Sequence, residues 1–244
     1  MNNKLYVVGI GPGAYEDMTI RAVQAVEKAE LIVGYGVYAE LVRPYFPEKE
    51  YFTTPMRGET QRCRYALEQA AAGKSTAVIC SGDAGVYGMA GLLYELRGEN
   101  ETPEIEVVSG LTAACSGAAV LGAPLTHDFA VISLSDLLTE WDTIEKRLDR
   151  AAEAGLSIVL YNPASKKRRD YLQRACEIIL RHAEPERVCG VVRNIGRAGE
   201  SRQIMTLAEL RSYEADMFTT VFIGNPQTKC IGGKMITPRG YRDV

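Results

Sequence analysis

Three glycine-rich turns, Gly9-Ile10-Gly11-Pro12-Gly13, Ser81-Gly82-Asp83-Ala84-Gly85 and Ser109-Gly110-Leu111-Thr112-Ala113, each follow a short apolar run. Their chemistry is that of a rim for one small molecule. Glycine removes the Cβ that would hold a ligand away from backbone amides, and open α/β sheets bind ligands beyond the carboxyl ends of their strands. Asp83 adds a carboxylate where strand hands over to helix, either to cap that helix or to face the ligand. The first turn departs from the dinucleotide fingerprint. Its third glycine is replaced by Ala14, Pro12 has no N–H to offer a pyrophosphate, and no acidic residue closes the second strand at Val33-Gly34-Tyr35. No Gly-Lys-Ser/Thr follows the glycines, which excludes a phosphate-binding P-loop.

The elements that must position these turns alternate. Apolar runs at Leu5 to Val8, Leu31 to Val33, Thr76 to Cys80 and Ile105 to Val108 read as strands. Helical patterns run from Thr19 to Ala29, Glu59 to Ala72, Val86 to Leu96 and Thr112 to Leu121. This βαβα rhythm predicts a mostly parallel sheet. Thr19 is placed to cap its helix, and Ala22, Val23, Val26 and Ala29 give that helix one apolar face. Gly122-Ala123-Pro124-Leu125 breaks the rhythm, so the boundary is expected at residue 122, with an N-terminal α/β domain over 1–122 and a C-terminal α/β domain over 123–244. The second half predicts strands at Phe129 to Leu134, Ser157 to Tyr161, Arg187 to Val192, Ser201 to Thr206 and Met217 to Ile223, with helices near Trp141 to Ala154 and Ser165 to His182. Only a short helix-like stretch, Leu207 to Tyr213, separates the last two strands, which predicts a mixed sheet.

Composition narrows the partners. A formal charge of -3 over 244 residues, with no terminal block of like charge, points away from nucleic acid and membrane surfaces and toward a small molecule. The cysteines Cys63, Cys80, Cys115, Cys176, Cys189 and Cys230 are scattered, with no CxxC pair and no histidine at ligand spacing, so no metal site is expected and the thiols read as reduced. Met1-Asn2-Asn3-Lys4 leads directly into a strand without a signal-peptide core, which makes the cytoplasm the expected compartment.

The order GIGPG, then SGDAGVYGMA over Ser81 to Ala90, then VVSGLTAA, resembles the tetrapyrrole methylases, over nearly the whole chain. Gly34-Tyr35, Met56-Arg57, LGAPLTHDFAVISLSDLL over Leu121 to Leu138, and Leu160-Tyr161-Asn162-Pro163-Ala164-Ser165 are similar to the branch that acts on precorrin-3B. That resemblance implies a two-domain α/β fold with a ligand cleft between the domains and S-adenosylmethionine as methyl donor. It also implies methylation of carbon 17 of precorrin-3B, or of cobalt-factor III, with ring contraction to precorrin-4 or its cobalt form in cobalamin biosynthesis. S-adenosylhomocysteine would be the second product, and a homodimer is implied by analogy. Methylation of another macrocycle carbon is the alternative within the family, and a nucleotide-dependent oxidoreductase the alternative outside it.

By match to the family motifs, the resemblance places the donor against Gly11, Pro12, Gly82, Asp83, Val86, Thr112 and Ala113, and against Asn162, Asn194 and Ile195 from the second half. Relatives that methylate uroporphyrinogen carry GPGD in the first loop and an aspartate after the second strand. Here Ala14 and Tyr35 stand at those places, so their proton-handling residues do not carry over. A sulfonium methyl is already activated and needs alignment and exclusion of water more than a strong base. Ring contraction calls in addition for a proton donor, and His127 with Asp128 is the candidate, since histidine titrates near neutral pH. Ser133, Ser135 and Arg57 are candidate substrate contacts. Lys166-Lys167-Arg168-Arg169, read as crowding a helix N-terminus where each cation costs ~0.3 to 1 kcal/mol, makes Lys166 and Arg168 candidates to hold a polycarboxylate macrocycle. Ser165 is the expected cap of that helix, and His182 reads as a cation at its far end.

Overall fold

The computed structural model describes residues 4–165 and 169–242. The chain divides into two compact units, Met1–Ala113 and Ala114–Val244.

In the first unit β1 (Lys4–Gly9), β2 (Leu31–Tyr35), β3 (Glu50–Thr54), β4 (Thr76–Cys80) and β5 (Glu104–Val108) form one sheet in the order β3-β2-β4-β1-β5. Every neighbouring pair is parallel. Strands buried on both faces read as continuous apolar runs, and β1 and β4 do so because each face carries helices. Tyr6, Val8, Ile10, Ile32 and Ile79 pack with Ala22, Ala25 and Val26 of α1 (Ile20–Lys28) and Ala39 and Val42 of α2 (Gly36–Val42). Leu5, Val7, Leu31, Val33 and Val78, on the opposite face, pack with Cys63, Ala66 and Ala70 of α3 (Glu59–Ala71) and Ala90 and Leu93 of α4 (Ala90–Arg97). Thr19 does cap α1, its Oγ1 accepting from the Ala22 N–H at 3.0 Å.

Two differences from the sequence reading concern the rim. The helix expected from Val86 begins only at Ala90, because the chain first folds back on itself: the Ala90 N–H donates to the Ala84 carbonyl at 3.1 Å, and a Cβ on Gly88 would come within 2.2 Å of that oxygen. The edge strand β3 and helix α2 have no counterpart in the sequence reading.

The second unit opens with most of α5 (Ala113–Leu121) and β6 (Gly122–Ala123). Its main sheet takes β7 (Phe129–Ser133), β8 (Ser157–Tyr161), β9 (Val188–Arg193), β10 (Ser201–Thr206) and β11 (Thr219–Ile223) in the order β10-β9-β11-β8-β7. Only β7 and β8 run parallel; the other pairs are antiparallel, which gives a mixed sheet. Helices α6 (Trp141–Glu153), α7 (Tyr171–Ile179) and α8 (Leu207–Leu210) cover one face through Ile144, Leu148, Leu172, Ile178 and Leu210. A short sheet of β12 (Lys229–Ile231), β13 (Lys234–Ile236) and β6 completes the unit.

The units meet in sequence at residue 113, before the expected 122, because α5 packs on the second sheet. A Cβ on Gly117 would lie 2.8 Å from the Phe222 ring, and one on Gly190 of β9 would lie 2.7 Å from Leu121. The helix expected from Ser165 starts at Tyr171 with Asp170 as its cap, so Arg169 precedes its first turn.

Candidate functional site

All five strands of the first sheet end on one edge, and the three glycine turns leave the adjacent strands β4, β1 and β5. They are tied to one another. Gly11 and Gly82 exchange N–H to C=O bonds at 3.1 and 2.7 Å, and the Ile10 N–H donates to the Cys80 carbonyl at 2.9 Å. Asp83 Oδ1 accepts from the Gly85 and Val86 amides at 2.7 and 3.1 Å, and its Oδ2 accepts from the Gly110 amide at 2.9 Å. Thr19 Oγ1 donates to the Ser109 carbonyl at 3.3 Å. Asp83 is therefore the clasp that joins the second turn to the third, and three main-chain amides occupy its carboxylate.

The glycines separate by role. A Cβ on Gly110 would stand 2.3 Å from the Gly82 carbonyl and 2.5 Å from that of Gly9, and one on Gly9 would stand 2.7 Å from Gly82 O and Gly110 N. These two are required by turn-to-turn packing, not by a ligand. Gly11 and Gly82 hold φ of 72° and 70°, a region other residues avoid. Gly85 is exposed, and its Cβ would touch only Asp83 Oδ1 at 3.3 Å. Gly82, Thr112 and Ala113 come together: a Gly82 Cβ would lie 3.6 Å from Thr112 Cα and 3.8 Å from the Ala113 nitrogen. Pro12 is buried in the first turn. Beyond Gly85 the exposed Val86 and Tyr87 stand on the same segment, and Tyr87 holds φ of 54°, a left-handed conformation rare for an aromatic residue. Tyr87 was missed by the sequence reading, although it sits inside the SGDAGVYG motif. This open main-chain surface fits a ligand held by backbone atoms, such as the folded methyl donor implied by the sequence.

Arg57 is exposed after β3 on the same edge, two strands from β4 and hence ~10 Å away across the sheet. It too holds a left-handed φ, 70°, with its N–H donated to Glu59 Oε1 at 3.2 Å.

In the second unit β7, β8 and β9 point the same way, so Ser133, Asn162 and Asn194 share one edge of that sheet. Asn162 and Asn194 adopt φ of 52° and 53°, which asparagine tolerates best among residues with a Cβ. Asn162 Nδ2 donates to Ser133 Oγ at 3.0 Å, and Ser133 Oγ also accepts from the Ser135 amide at 3.2 Å. The Asn194 N–H donates to the Phe218 carbonyl at 3.1 Å. Ile195 is buried, its Cδ1 3.0 Å from the Gly117 Cβ position, so its side chain is core and only its main chain can face a ligand. Tyr161 Oη accepts from the Ala114 N–H at 2.6 Å, a tie to the first turn of α5 between residues too far apart in the chain for local pattern to pair them. On the same edge Tyr171 Oη donates to Asp136 Oδ2 at 2.6 Å, which holds the phenol above its usual pKa.

His127 and Asp128 do not join that edge. They precede β7 at its N-terminal end, five residues of strand away from its C-terminal edge and so on the order of 15 Å distant. His127 Nε2 lies 3.1 Å from the Pro238 carbonyl, and the Asp128 carbonyl accepts from the Ser157 amide at 3.3 Å. Thr126 donates to the Thr237 carbonyl and Arg239 Nη1 donates to the Thr126 carbonyl at 2.7 Å, so the turn is fastened to the segment that follows β13. Lys166 and Arg168 lie outside the described residues.

A parallel sheet with cross-tied glycine turns on one edge, followed by a mixed α/β unit with its own polar edge, defines an α/β protein of the class that takes small molecules at its strand ends. The sequence model of the tetrapyrrole (corrin/porphyrin) methylases matches residues 4–211, and the chain belongs to that family. It is 44% identical over 97% of its length to a probable cobalt-factor III C(17)-methyltransferase of Salmonella typhimurium, covering 99% of that protein. It is 41% identical over 99% of its length to a precorrin-3B C(17)-methyltransferase of a Sinorhizobium species, covering 98% of it. The crystal structure of the methyltransferase CobJ superimposes with a TM-score of 0.88 at 36% identity, over 96% of this chain and 99% of that one. The chain is a methyltransferase, and S-adenosylmethionine is the donor its family uses.

Proposed function

We propose that this chain methylates carbon 17 of precorrin-3B or of cobalt-factor III and promotes the ring contraction to precorrin-4 or its cobalt counterpart in cobalamin biosynthesis. The full-length likeness to two proteins of those names carries the reading. The donor, when bound, supplies an electrophilic sulfonium methyl; the protein's own task is alignment and exclusion of water. Gly11, Pro12, Gly82, Val86, Thr112 and Ala113 are the donor contacts proposed on the first unit, and Asp83 serves the donor by fixing the directions of the turn amides. Asn162, Asn194 and the main chain of Ile195 are those proposed on the second. What supports them is their position on the C-terminal edges of their own sheets and the preformed left-handed conformations of the two asparagines. Arg57, Ser133 and Ser135 are proposed for the substrate, with Lys166 and Arg168 retained from the sequence.

His127 and Asp128 we assign to fastening the β7 entry, since the histidine ring meets a backbone carbonyl and the pair stands at the far strand end from Ser133. The six cysteines are unpaired, which supports a reducing compartment such as the cytoplasm. A homodimer follows the habit of the family, and light scattering checks it.

Incubation with S-adenosylmethionine and either metal-free precorrin-3B or cobalt-factor III tests the activity. The expected outcome is S-adenosylhomocysteine together with a tetrapyrrole heavier by one methyl group and bearing the acetyl group of the contracted ring. Recovery of both substrates at unchanged mass, from protein that binds S-adenosylhomocysteine, would place the activity on another acceptor.

A further inference from the structure

Arg62 is a buried cation without a counter-ion among the described residues. It closes the first turn of α3 with 4% of its surface exposed, beside the loop Pro55–Gly58 that leaves β3. Its Nε donates to Thr54 Oγ1 at 3.0 Å and its Nη2 to the Pro55 carbonyl at 3.4 Å, both neutral acceptors. No carboxylate among the described residues lies within ion-pair distance of the guanidinium. The acidic side chains nearby are committed elsewhere: Glu59 accepts from the Arg57 amide, and both oxygens of Asp83 hold main-chain amides. Burying an ion is costly unless it is paired, and arginine cannot shed its charge to escape. Nη1 has no protein partner among the described residues, yet it is not sealed: among those residues Arg97 Nε is the fully buried side-chain nitrogen without a partner, and Arg62 contributes none. One nitrogen of the guanidinium, held beside Thr54 and Pro55 at the C-terminal end of β3, thus keeps contact with solvent and has no partner among the described residues.

Above it the loop holds its shape. The Gly58 N–H donates to the Pro55 carbonyl at 3.2 Å, Thr54 Oγ1 packs where a Gly58 Cβ would stand at 2.7 Å, and Arg57 is held exposed in a left-handed conformation. The four-residue loop thus carries one exposed arginine, Arg57, and covers one buried arginine, Arg62.

The geometry points to a carboxylate subsite made by Arg62 Nη1 from below and Arg57 from above, at the C-terminal end of β3. This deepens the methyltransferase reading and rests on it. The reaction offers two carboxylate sources, the acetate and propionate arms of the macrocycle and the methionyl carboxylate of the donor. Nη1 offers a carboxylate one charge-assisted hydrogen bond, and a guanidinium already partly dehydrated makes it with little further loss of water.

Titration calorimetry with two stable probes tests it: uroporphyrin III, which carries eight carboxylates, and S-adenosylhomocysteine. The variants are Arg62→Gln, Arg62→Lys and Arg57→Gln, with melting temperature recorded for each. Arg62→Gln is expected to weaken one probe at least about tenfold and spare the other. Loss of uroporphyrin III affinity assigns the carboxylate to the macrocycle, and loss of S-adenosylhomocysteine affinity assigns it to the donor. Arg62→Lys keeps the charge while breaking the hold on Thr54 and Pro55, so it should recover most of the affinity if charge is what the ligand reads; a merely loop-shaping arginine would not be rescued. If Arg62→Gln does not fold, the exposed Arg57→Gln carries the test and should weaken the same probe about threefold or more. Wild-type affinity for both probes in the folded variants overturns the subsite. Absence of methyl transfer by a wild type that binds both probes would instead overturn the reading of its reaction and leave the subsite standing.

Discussion

At the scale of single residues the glycines make a sharp distinction that can be measured. Gly110→Ala would drive a methyl group to within 2.3 Å of the Gly82 carbonyl, a contact that neither backbone can relieve without moving. It should cost about 3 kcal/mol or more and abolish S-adenosylhomocysteine binding along with the rim. Gly85→Ala meets only Asp83 Oδ1, at 3.3 Å, so its urea midpoint should stay near wild type. If the donor rests on this surface, the same substitution should weaken S-adenosylhomocysteine several-fold, and an unchanged affinity would move the ligand away from Gly85. Asp83→Asn leaves the Gly110 amide facing an NH₂ group or nothing, which should cost about 1–3 kcal/mol and loosen the donor through the turns. His127→Ala should retain methyl transfer within a few-fold and lose about 1 kcal/mol of stability with the Pro238 contact; loss of turnover at unchanged stability would return the proton-donor role to it. The turns themselves were legible because a strand followed by glycines has few other meanings. Why each glycine is needed was not, since a close approach among residues 9, 82 and 110 is invisible to local pattern. That His127 stands at the opposite end of β7 from Ser133 was hidden for the same cause: a sequence shows which strand a residue precedes, but not which strand ends come together.

Among the elements, the joint between α7 and β9 is held by charge. Arg187, 8% exposed, donates to both oxygens of Glu184, Nε to Oε1 at 3.0 Å and Nη2 to Oε2 at 2.8 Å, while Nη1 donates to the Gly224 carbonyl after β11. The guanidinium pulls the Glu184 carboxyl down to about 2. A carboxyl whose folded value is depressed stabilises the fold above its unfolded value of about 4.3, and that stabilisation is lost as pH falls through about 2. Glu184→Gln should therefore lower stability at neutral pH by about 1 kcal/mol, a figure reduced for the glutamate's exposure. Urea midpoints should show the gap to wild type closing as pH drops from about 5 toward 2; a gap independent of pH would make the loss one of packing. Most elements were readable from apolar periodicity. Those that were not have physical reasons. Edge strand β3 buries too little for a clear pattern, α2 is seven residues long, and β12 and β13 are three residues each, so their pairing depends on partners distant in sequence. Helix α5 was read correctly as a helix but grouped with the strand before it, because Gly117 and Leu121 find their partners, Phe222 and Gly190, far along the chain.

Over the whole molecule, four buried cysteines make each unit report on itself. Burial pushes the thiols of Cys63 and Cys80 up to about 12 and about 11 in the first unit, that of Cys176 up to about 12 in the second, and that of Cys189 higher still. A thiol is attacked as its thiolate, so these four should be inert to a disulfide reagent until their unit opens, while the exposed Cys115 and Cys230 react at once. Two thiols titrating in the native protein and six in denaturant is the expected count. When opening and closing are fast, the slow labelling of each pair measures the opening free energy of its unit. Ligand that binds only the closed form adds RT ln(1 + [L]/Kd), about 2.7 kcal/mol at one hundred times Kd, or roughly a hundredfold in rate. S-adenosylhomocysteine at that concentration should slow Cys63 and Cys80 by this factor, because the turns of β1, β4 and β5 belong to their unit. It should slow Cys176 and Cys189 as well if Asn162 and Asn194 contact the donor. Slowing confined to Cys63 and Cys80 would assign the donor to the first unit alone and leave the edge of β7, β8 and β9 to the macrocycle.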